Sequence, residues 1–447
     1  MDRGSHLFHK WGQGVNPDLP RIERAHDEFL VTADGEELVD AASGAAVVNL
    51  GHSVPGIEAV LREQAAELAY LSLSHFTHEA PAELASKLAD RAPGDLTAAF
   101  FTNSGSEANE SAFKLARSFH RATGNTEKSL VISRWQSYHG ATLGALSATG
   151  NTSRRRGYEP LLTEGEHLSP AYPYRWEFSG TPKEQAKAAA NELRETIRQR
   201  GPETVSAFIA EPVGGASLPA AAPHPAYYRE VRDICDEYNV LFIADEVMTG
   251  FGRTGSLFAM EHFDVVPDIL TLGKGLTSGY APMSAVLVRE HIAAEFDEGT
   301  GEFRHGHTFG GNPLSAAVGS FILDQYTDDV LAHGRERGAQ LVDELSPLRS
   351  HPMVGDLRGK GLMVGVEFVA DSETKAPFDP AENVSEKVYE AALDRGVYTY
   401  PGRGSVDGRA GDHLMLTPPL TSSAASISVI ADAVTAAIDD VYRAQTR

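Results

Sequence analysis

The sequence predicts an α/β protein, with a large, mostly parallel sheet covered by helices on both faces and a smaller α+β domain beside it. Three observations carry this expectation. Between residues 97 and 276 short apolar runs alternate with helical spacing, the pattern of a doubly covered parallel sheet. At 447 residues the chain is long enough for two or more domains. After about residue 325 the alternation gives way to long helices with fewer strands between them. The expected boundaries are 1–55 for an N-terminal arm with part of the small domain, 56–325 for the large domain and 326–447 for the C-terminal small domain.

The elements follow in order. "FLVTADGEELVDAASG" reads as a hairpin with Asp34-Gly35 as its turn. Apolar spacing predicts helices at 56–70 and 79–92. "TAAFFT" (97–102) is a strand, 106–122 a helix, "SLVISR" (129–134) a strand and 140–148 a helix. "VSAFIAEPV" (205–213), "VLFIADEV" (240–247) and "DILTLGKGL" (268–276) are further strands, with a helix at 225–238. The last part holds helices at 326–346, 384–395 and 421–444, with strands at 361–369 and 413–420. No internal repeat or low-complexity segment appears.

Composition narrows the function. The formal net charge of −23 argues against nucleic acid or an anionic membrane as partner. Ten lysines stand beside 29 arginines and 62 acids, which suits a protein that stays soluble in strong salt, or simply an acidic enzyme of the cytoplasm. The single cysteine, Cys235, excludes an intrachain disulfide, and its helical spacing from Val231 makes it a core residue. No apolar run is long enough for a membrane span, and "MDRGSHLFHKW" has no signal-type stretch, so a cytoplasmic location is expected.

Ligands of such sheets bind at the carboxyl ends of the strands. After the first strand, Ser104, Gly105 and Ser106 lie where a helix begins and could cradle a phosphate, or serve as an ordinary cap. Tyr138, in "YHGAT" (138–142), could lay its ring on a flat heteroaromatic ligand, or pack. Glu211 follows the third strand, Asp245 ends the next, and Lys274 stands between two glycines after the last. Each signal is weak alone. Together they describe one ligand with a phosphate, a flat ring, a ring nitrogen that wants a carboxylate and an aldehyde that wants an amine. That is pyridoxal 5'-phosphate.

These residues belong to longer motifs: "TNSGSEAN" (102–109), "YHGAT", "AEPV" (210–213), "LFIADEVMTGFGRTG" (241–255), "TLGKGL" (271–276), "HTFGGNPLSAA" (307–317) and "LTPPL" (416–420). With them the chain resembles the class III pyridoxal-phosphate aminotransferases, the group of ω-amino acid and amine:pyruvate transaminases. The resemblance runs over nearly the whole chain. It implies a fold-type-I enzyme with a seven-stranded main sheet, acting as a homodimer with shared sites that could pair into a tetramer. It implies that Lys274 binds the cofactor covalently and moves the substrate proton, with Asp245 on the ring nitrogen. Val247 would pack under the ring and Tyr138 above it, with His139 beside. Gly105 and Ser106 would hold the phosphate, Thr308 would reach the neighbouring subunit's phosphate, and Glu211 would orient its neighbours.

Relatives acting on γ-aminobutyrate or ornithine carry an arginine directly after the "HG" of this motif, where this chain has Ala141. The expected substrates are therefore an amine or ω-amino acid donor and pyruvate or a similar 2-oxo acid. Trp11 and Phe76 are candidates for an apolar substrate pocket, or plain core. Arg409 is the candidate for the acceptor carboxylate, with Arg403 as the alternative in the same loop. A decarboxylase or racemase on the same cofactor site is the other reading, and a cofactor-binding protein without turnover a third.

Overall fold

The computed structural model describes residues 19–297 and 301–446, with the backbone of residues 8–9 and 14–15. The main sheet has seven strands, numbered here in chain order: β1 Leu96–Thr102, β2 Leu130–Arg134, β3 Glu166–Leu168, β4 Val205–Ala210, β5 Leu241–Asp245, β6 Ile269–Leu272 and β7 Ser284–Arg289. Across the sheet they run β1, β7, β6, β5, β4, β2, β3. β7 is antiparallel to both of its neighbours, and the other pairs are parallel.

The core of this sheet explains its apolar strands. β4, β5 and β6 are buried along their full length, and Ile243 pairs with Ile209 on one side and Ile269 on the other. Strands covered on both faces have no solvent side on which to place polar residues. The helix Gly105–Ala122 covers one face through Ala108, Ala112, Leu115, Ala116 and Phe119, which recur at helical spacing. Cys235 lies in the buried face of the helix Ala226–Tyr238, and burial pushes its thiol up to about 12.

The N-terminal hairpin forms as expected, with strands Phe29–Thr32 and Glu37–Asp40 and Gly35 at φ +93° in the turn. It joins Ile22–His26 and Val397–Tyr398 in a four-stranded sheet, so the two ends of the chain build one structure. A second four-stranded sheet orders Val354–Lys360, Met363–Phe368, Asp412–Leu416 and Tyr400–Arg403. The helices Asp328–Glu344, Val384–Leu393 and Ala424–Gln445 complete this part.

Several elements differ from the sequence reading. β3, β7, and the helices Pro182–Arg200 and Pro313–Gln325 were not expected. The strand expected at 268–276 ends at Leu272, and Lys274–Leu276 forms a single 3-10 turn. Lys274 itself has φ +45°, a left-handed conformation that no strand continues through. No helix among the described residues is long and apolar enough to cross a membrane.

Candidate active site

A cavity of about 370 Å³ opens at the carboxyl ends of β1, β2, β4, β5 and β6. Because β7 is antiparallel, its first residue, Ser284, comes to the same edge, paired with Thr102. The cavity is lined by Ser104, Gly105, Ser106, Tyr138, His139, Glu211, Asp245, Val247 and Lys274. Residues 170 positions apart thus meet in one place.

Asp245 ends β5 and is 5% exposed. Its Oδ2 accepts from Asn109 Nδ2 at 2.8 Å and lies 2.8 Å from His139 Nδ1. Its Oδ1 accepts from the Val247 amide at 3.1 Å. The same Asn109 amide donates to the His139 carbonyl at 2.7 Å. Carboxylate, imidazole and amide therefore form one rigid unit. The next acid, Glu246, points the other way, as successive strand side chains must. It accepts from the amides of Ala259 and Met260 at 2.6 and 2.9 Å, and burial pushes its carboxyl up to about 7.

Glu211 is held at both ends. Its main-chain oxygen accepts from Arg134 Nη2 at 2.6 Å and from the Tyr228 hydroxyl at 2.5 Å. Its carboxylate accepts from the amides of Tyr138 and Gly215 at 3.2 and 3.1 Å. Burial raises its pKa, against the charge of His139.

The cradle near Ser104 is tight. Ser104 caps the helix by accepting from the Glu107 amide at 3.3 Å, so the capping reading of this serine holds in the structure. Ser106 Oγ accepts from the Ala141 amide at 3.0 Å. A Cβ on Gly105 would lie 2.7 Å from Val247 Cγ1. Gly140 has φ +136°, and a Cβ there would lie 2.5 Å from Ser106 Oγ. Both positions exclude a side chain, which keeps backbone amides at the surface of the cavity.

Lys274 lines the same cavity. Burial lowers its pKa to about 8, although Asp245 and Glu211 pull it upward. A lowered pKa leaves such an amine neutral far more often near neutral pH than an ordinary lysine. It is thus suited to attack a carbonyl and to accept a proton.

These features fit pyridoxal phosphate. His139 Nε2 is buried without a hydrogen-bond partner among the described residues, beside a carboxylate already fixed by Asn109, by the other ring nitrogen of His139 and by the Val247 amide. Asp245 would hold the ring nitrogen, Tyr138 and Val247 the ring faces, and Gly105 and Ser106 the phosphate. The cofactor supplies an electrophilic carbon and an electron-withdrawing ring.

The remaining candidates lie elsewhere. Thr308 is exposed and lines a separate cleft with Tyr70, Ser72, His305 and His307. Phe76 is 70% exposed and outside the cavity. Trp11 lies outside the described residues. Arg409 is exposed, in a turn whose amides bond Asp407, and it lines a cleft with Arg403, Thr152 and Ser153. Arg403 Nε lies 3.5 Å from Asp412. Asn109 was missed by the sequence reading. Its signal was available, since it sits four residues after Gly105 on the helix and faces the same side.

Sheet order and site together define a fold-type-I pyridoxal-phosphate enzyme. Residues 12–438 match the family model for class-III aminotransferases, and the chain belongs to that family. It is 39% identical over 419 residues to the uncharacterized aminotransferase YodT of Bacillus subtilis, covering 92% of this chain and 93% of that one. It is 34% identical to a diaminobutyrate–2-oxoglutarate transaminase of Halomonas elongata, covering 94% and 90%. An (S)-enantioselective omega-transaminase of Thermomicrobium roseum superposes with a TM-score of 0.88 at 36% identity, over 95% of this chain and 93% of the other. A transaminase of the marine bacterium Virgibacillus gives 0.91 at 31%, over 98% of each.

Proposed function

We propose that this aminotransferase moves an amino group from an amine or ω-amino acid to pyruvate or a similar 2-oxo acid, in two half-reactions that share Lys274. The observation that carries this reading is the wall of the cavity. Beyond the phosphate cradle it is formed by Val47, Tyr138, Met248, Ala281 and Met283, and no arginine is among its lining residues in the described part of the chain. Ala141 stands directly after the "HG" of the motif, where the relatives that act on γ-aminobutyrate or ornithine carry an arginine. An apolar donor suits such a wall better than a second acid group does.

The chain's own groups have assigned tasks. Lys274 takes the proton from the substrate carbon and returns it on the other side of the exchange. Asp245, fixed by Asn109 and His139, keeps a proton on the ring nitrogen. Glu211 holds the Tyr138 backbone. The enzyme is a homodimer in this reading. Thr308 is exposed beside Phe309, which is 59% exposed, and Tyr70 and Leu73 are each more than 40% exposed nearby. Such a patch is what a partner subunit would cover. One buried thiol and an acid-rich composition suit a cytoplasmic enzyme in a salt-rich host.

The test is a single half-reaction. Adding an apolar amine without acceptor is expected to convert the bound cofactor's absorbance to that of its amino form, and pyruvate to restore it. A panel of donors then names the class. Carbon dioxide release or loss of chirality without that conversion would replace this reading by decarboxylation or racemisation.

A further inference from the structure

A second cleft, which shares no lining residue with the cofactor cavity, lies beside the chain that follows Arg253. Three segments meet there backbone to backbone. A Cβ on Gly361 would lie 2.2 Å from the Thr254 carbonyl carbon and 2.3 Å from the Gly255 nitrogen. A Cβ on Gly338, in the helix Asp328–Glu344, would lie 2.1 Å from the Gly361 carbonyl oxygen. Gly361, at φ +57°, turns the hairpin between Val354–Lys360 and Met363–Phe368, and the next amide, Leu362, donates to the Arg253 carbonyl at 3.1 Å. Only residues without a side chain allow so close a crossing.

The cleft has a volume of about 660 Å³. Arg335 lines it from the helix and Lys360 from the end of the hairpin strand. Arg335 is exposed. Its Nη1 donates to the Gly255 carbonyl at 2.7 Å, and its Nε and Nη2 have no partner among the described residues. Lys360 is half-buried, and no acceptor or acid pairs with its ammonium among the described residues. Ser256 and Ser346 add two hydroxyl groups to the lining. His262 lines the cleft with its Nε2 on the Thr254 carbonyl at 2.9 Å. Burial, and then the charge of Lys360, lower its pKa to about 4, so the ring is neutral near pH 7. Among the described residues the one acid of the lining, Asp343, is exposed and forms no ion pair with either cation. A half-buried ammonium without a counter-charge has lost part of its hydration and gained no partner for it. In a chain with 62 acids against 39 lysines and arginines, that partner is left to come from outside.

We propose that this cleft binds a tetrahedral oxyanion, phosphate or the phosphate group of a larger metabolite, between Arg335 and Lys360. The free edge of the guanidinium takes two oxygens, the ammonium supplies a point charge, and the serine hydroxyls donate to the remaining oxygens. Chloride uses the charge but not the fork. The bound anion joins the helix, the hairpin and the chain that leaves Arg253, and it stabilises the folded protein by mass action.

The test is thermal unfolding of the holoenzyme, in which the cofactor's own phosphate already fills its place. Inorganic phosphate is titrated through the millimolar range at constant ionic strength, with sodium chloride making up the balance. The melting temperature is expected to rise and saturate in the wild type, and to lose that response in Lys360→Met and in Arg335→Gln. Lys387→Met makes the same change of charge at an exposed position of the helix Val384–Leu393 and is expected to keep the response. Without phosphate, Lys360→Met is expected to melt no lower than the wild type, because it removes an unpaired, half-buried charge. If that variant does not fold, Arg335→Gln, at an exposed position, decides alone. Glycerol 2-phosphate separates the two sources: saturation by both ions assigns the phosphate group of a larger molecule, and saturation by inorganic phosphate alone assigns the free ion. A wild type with no saturable rise would overturn the proposal. So would an equal rise in the wild type, Lys360→Met and Arg335→Gln, because the ion would then bind elsewhere.

Discussion

Asn109→Ala removes the one side chain that ties Asp245 to His139 from outside both. Its amide donates to the Asp245 carboxylate at 2.8 Å and to the His139 carbonyl at 2.7 Å. A hydrogen bond to a charged acceptor contributes about 1.5–3 kcal/mol, and water cannot easily take its place at a carboxylate that is 5% exposed. If that contribution is made while Asp245 stabilises the protonated ring, its loss lowers the rate by roughly 10- to 150-fold. The assay is kcat/KM for an apolar amine with pyruvate, with cofactor retention and melting temperature measured beside it. Asn109→Asp is expected to be worse than Asn109→Ala, because two carboxylates at hydrogen-bond distance cannot both stay ionised. Activity of Asn109→Ala within twofold of wild type, with cofactor fully bound, would refute the reasoning. Asp245 would then be held well enough by His139 and the Val247 amide alone.

Three further outcomes follow from the geometry. The lowered pKa of Lys274 places its loss of charge near pH 8, so in cofactor-free protein the rate of cofactor capture is expected to rise with pH and level off above about 8; a rise that continues toward pH 10 would show an ordinary lysine. Melting temperature is expected to rise from low to molar salt, since the net charge of −23 repels itself and the screening length shrinks from about 10 Å at 0.1 M to 3 Å at 1 M; a flat or falling curve contradicts the salt-adapted reading. Mixing inactive Lys274→Ala with an inactive Thr308 variant is expected to restore activity once subunits exchange, because each hybrid dimer keeps one intact site; no recovery after proven exchange would assign Thr308 to its own subunit.

The site was largely legible because it is built from strand ends. Asp245, Glu211 and Lys274 each follow an apolar run directly, and the rule that ligands bind at carboxyl ends brings them together without coordinates. Where the chain leaves that rule, sequence patterns are silent. β7 has no helix before it to mark a crossover, so its antiparallel return, which puts Ser284 beside Gly273, could not be read. A Cβ on Gly273 would lie 2.7 Å from Ser284 Oγ, a contact between segments that share no local signal. The loop arginines show the same limit. Spacing before the "PPL" motif singles out Arg409, but loop placement depends on tertiary packing, and in the structure Arg409 lines a cleft with Arg403, Thr152 and Ser153.

The stretch 241–255 owes its unusual composition to three separate tasks. Asp245 faces the cavity, while Glu246 satisfies the amides at 259 and 260. Eight residues after Asp245, the fully buried Arg253 donates to the carbonyls of Leu362 and Pro418 at 3.1 and 2.6 Å and to Asn49 Oδ1 at 2.8 Å. Burial lowers its pKa to about 10, which leaves it charged at neutral pH. Asn49 in turn donates to the Phe251 carbonyl at 3.0 Å, and a Cβ on Gly275 would lie 2.5 Å from its Nδ2. One guanidinium therefore joins the N-terminal arm, the "LTPPL" motif and the chain that follows Asp245, within contact of the turn that carries Lys274. A buried charge with so few alternatives fixes the geometry strongly, since any displacement leaves its N–H donors without acceptors in a region water does not reach. The position of Lys274 against Asp245 thus depends on Asn49 near one end of the chain and on Pro418 near the other, which Arg253 holds together.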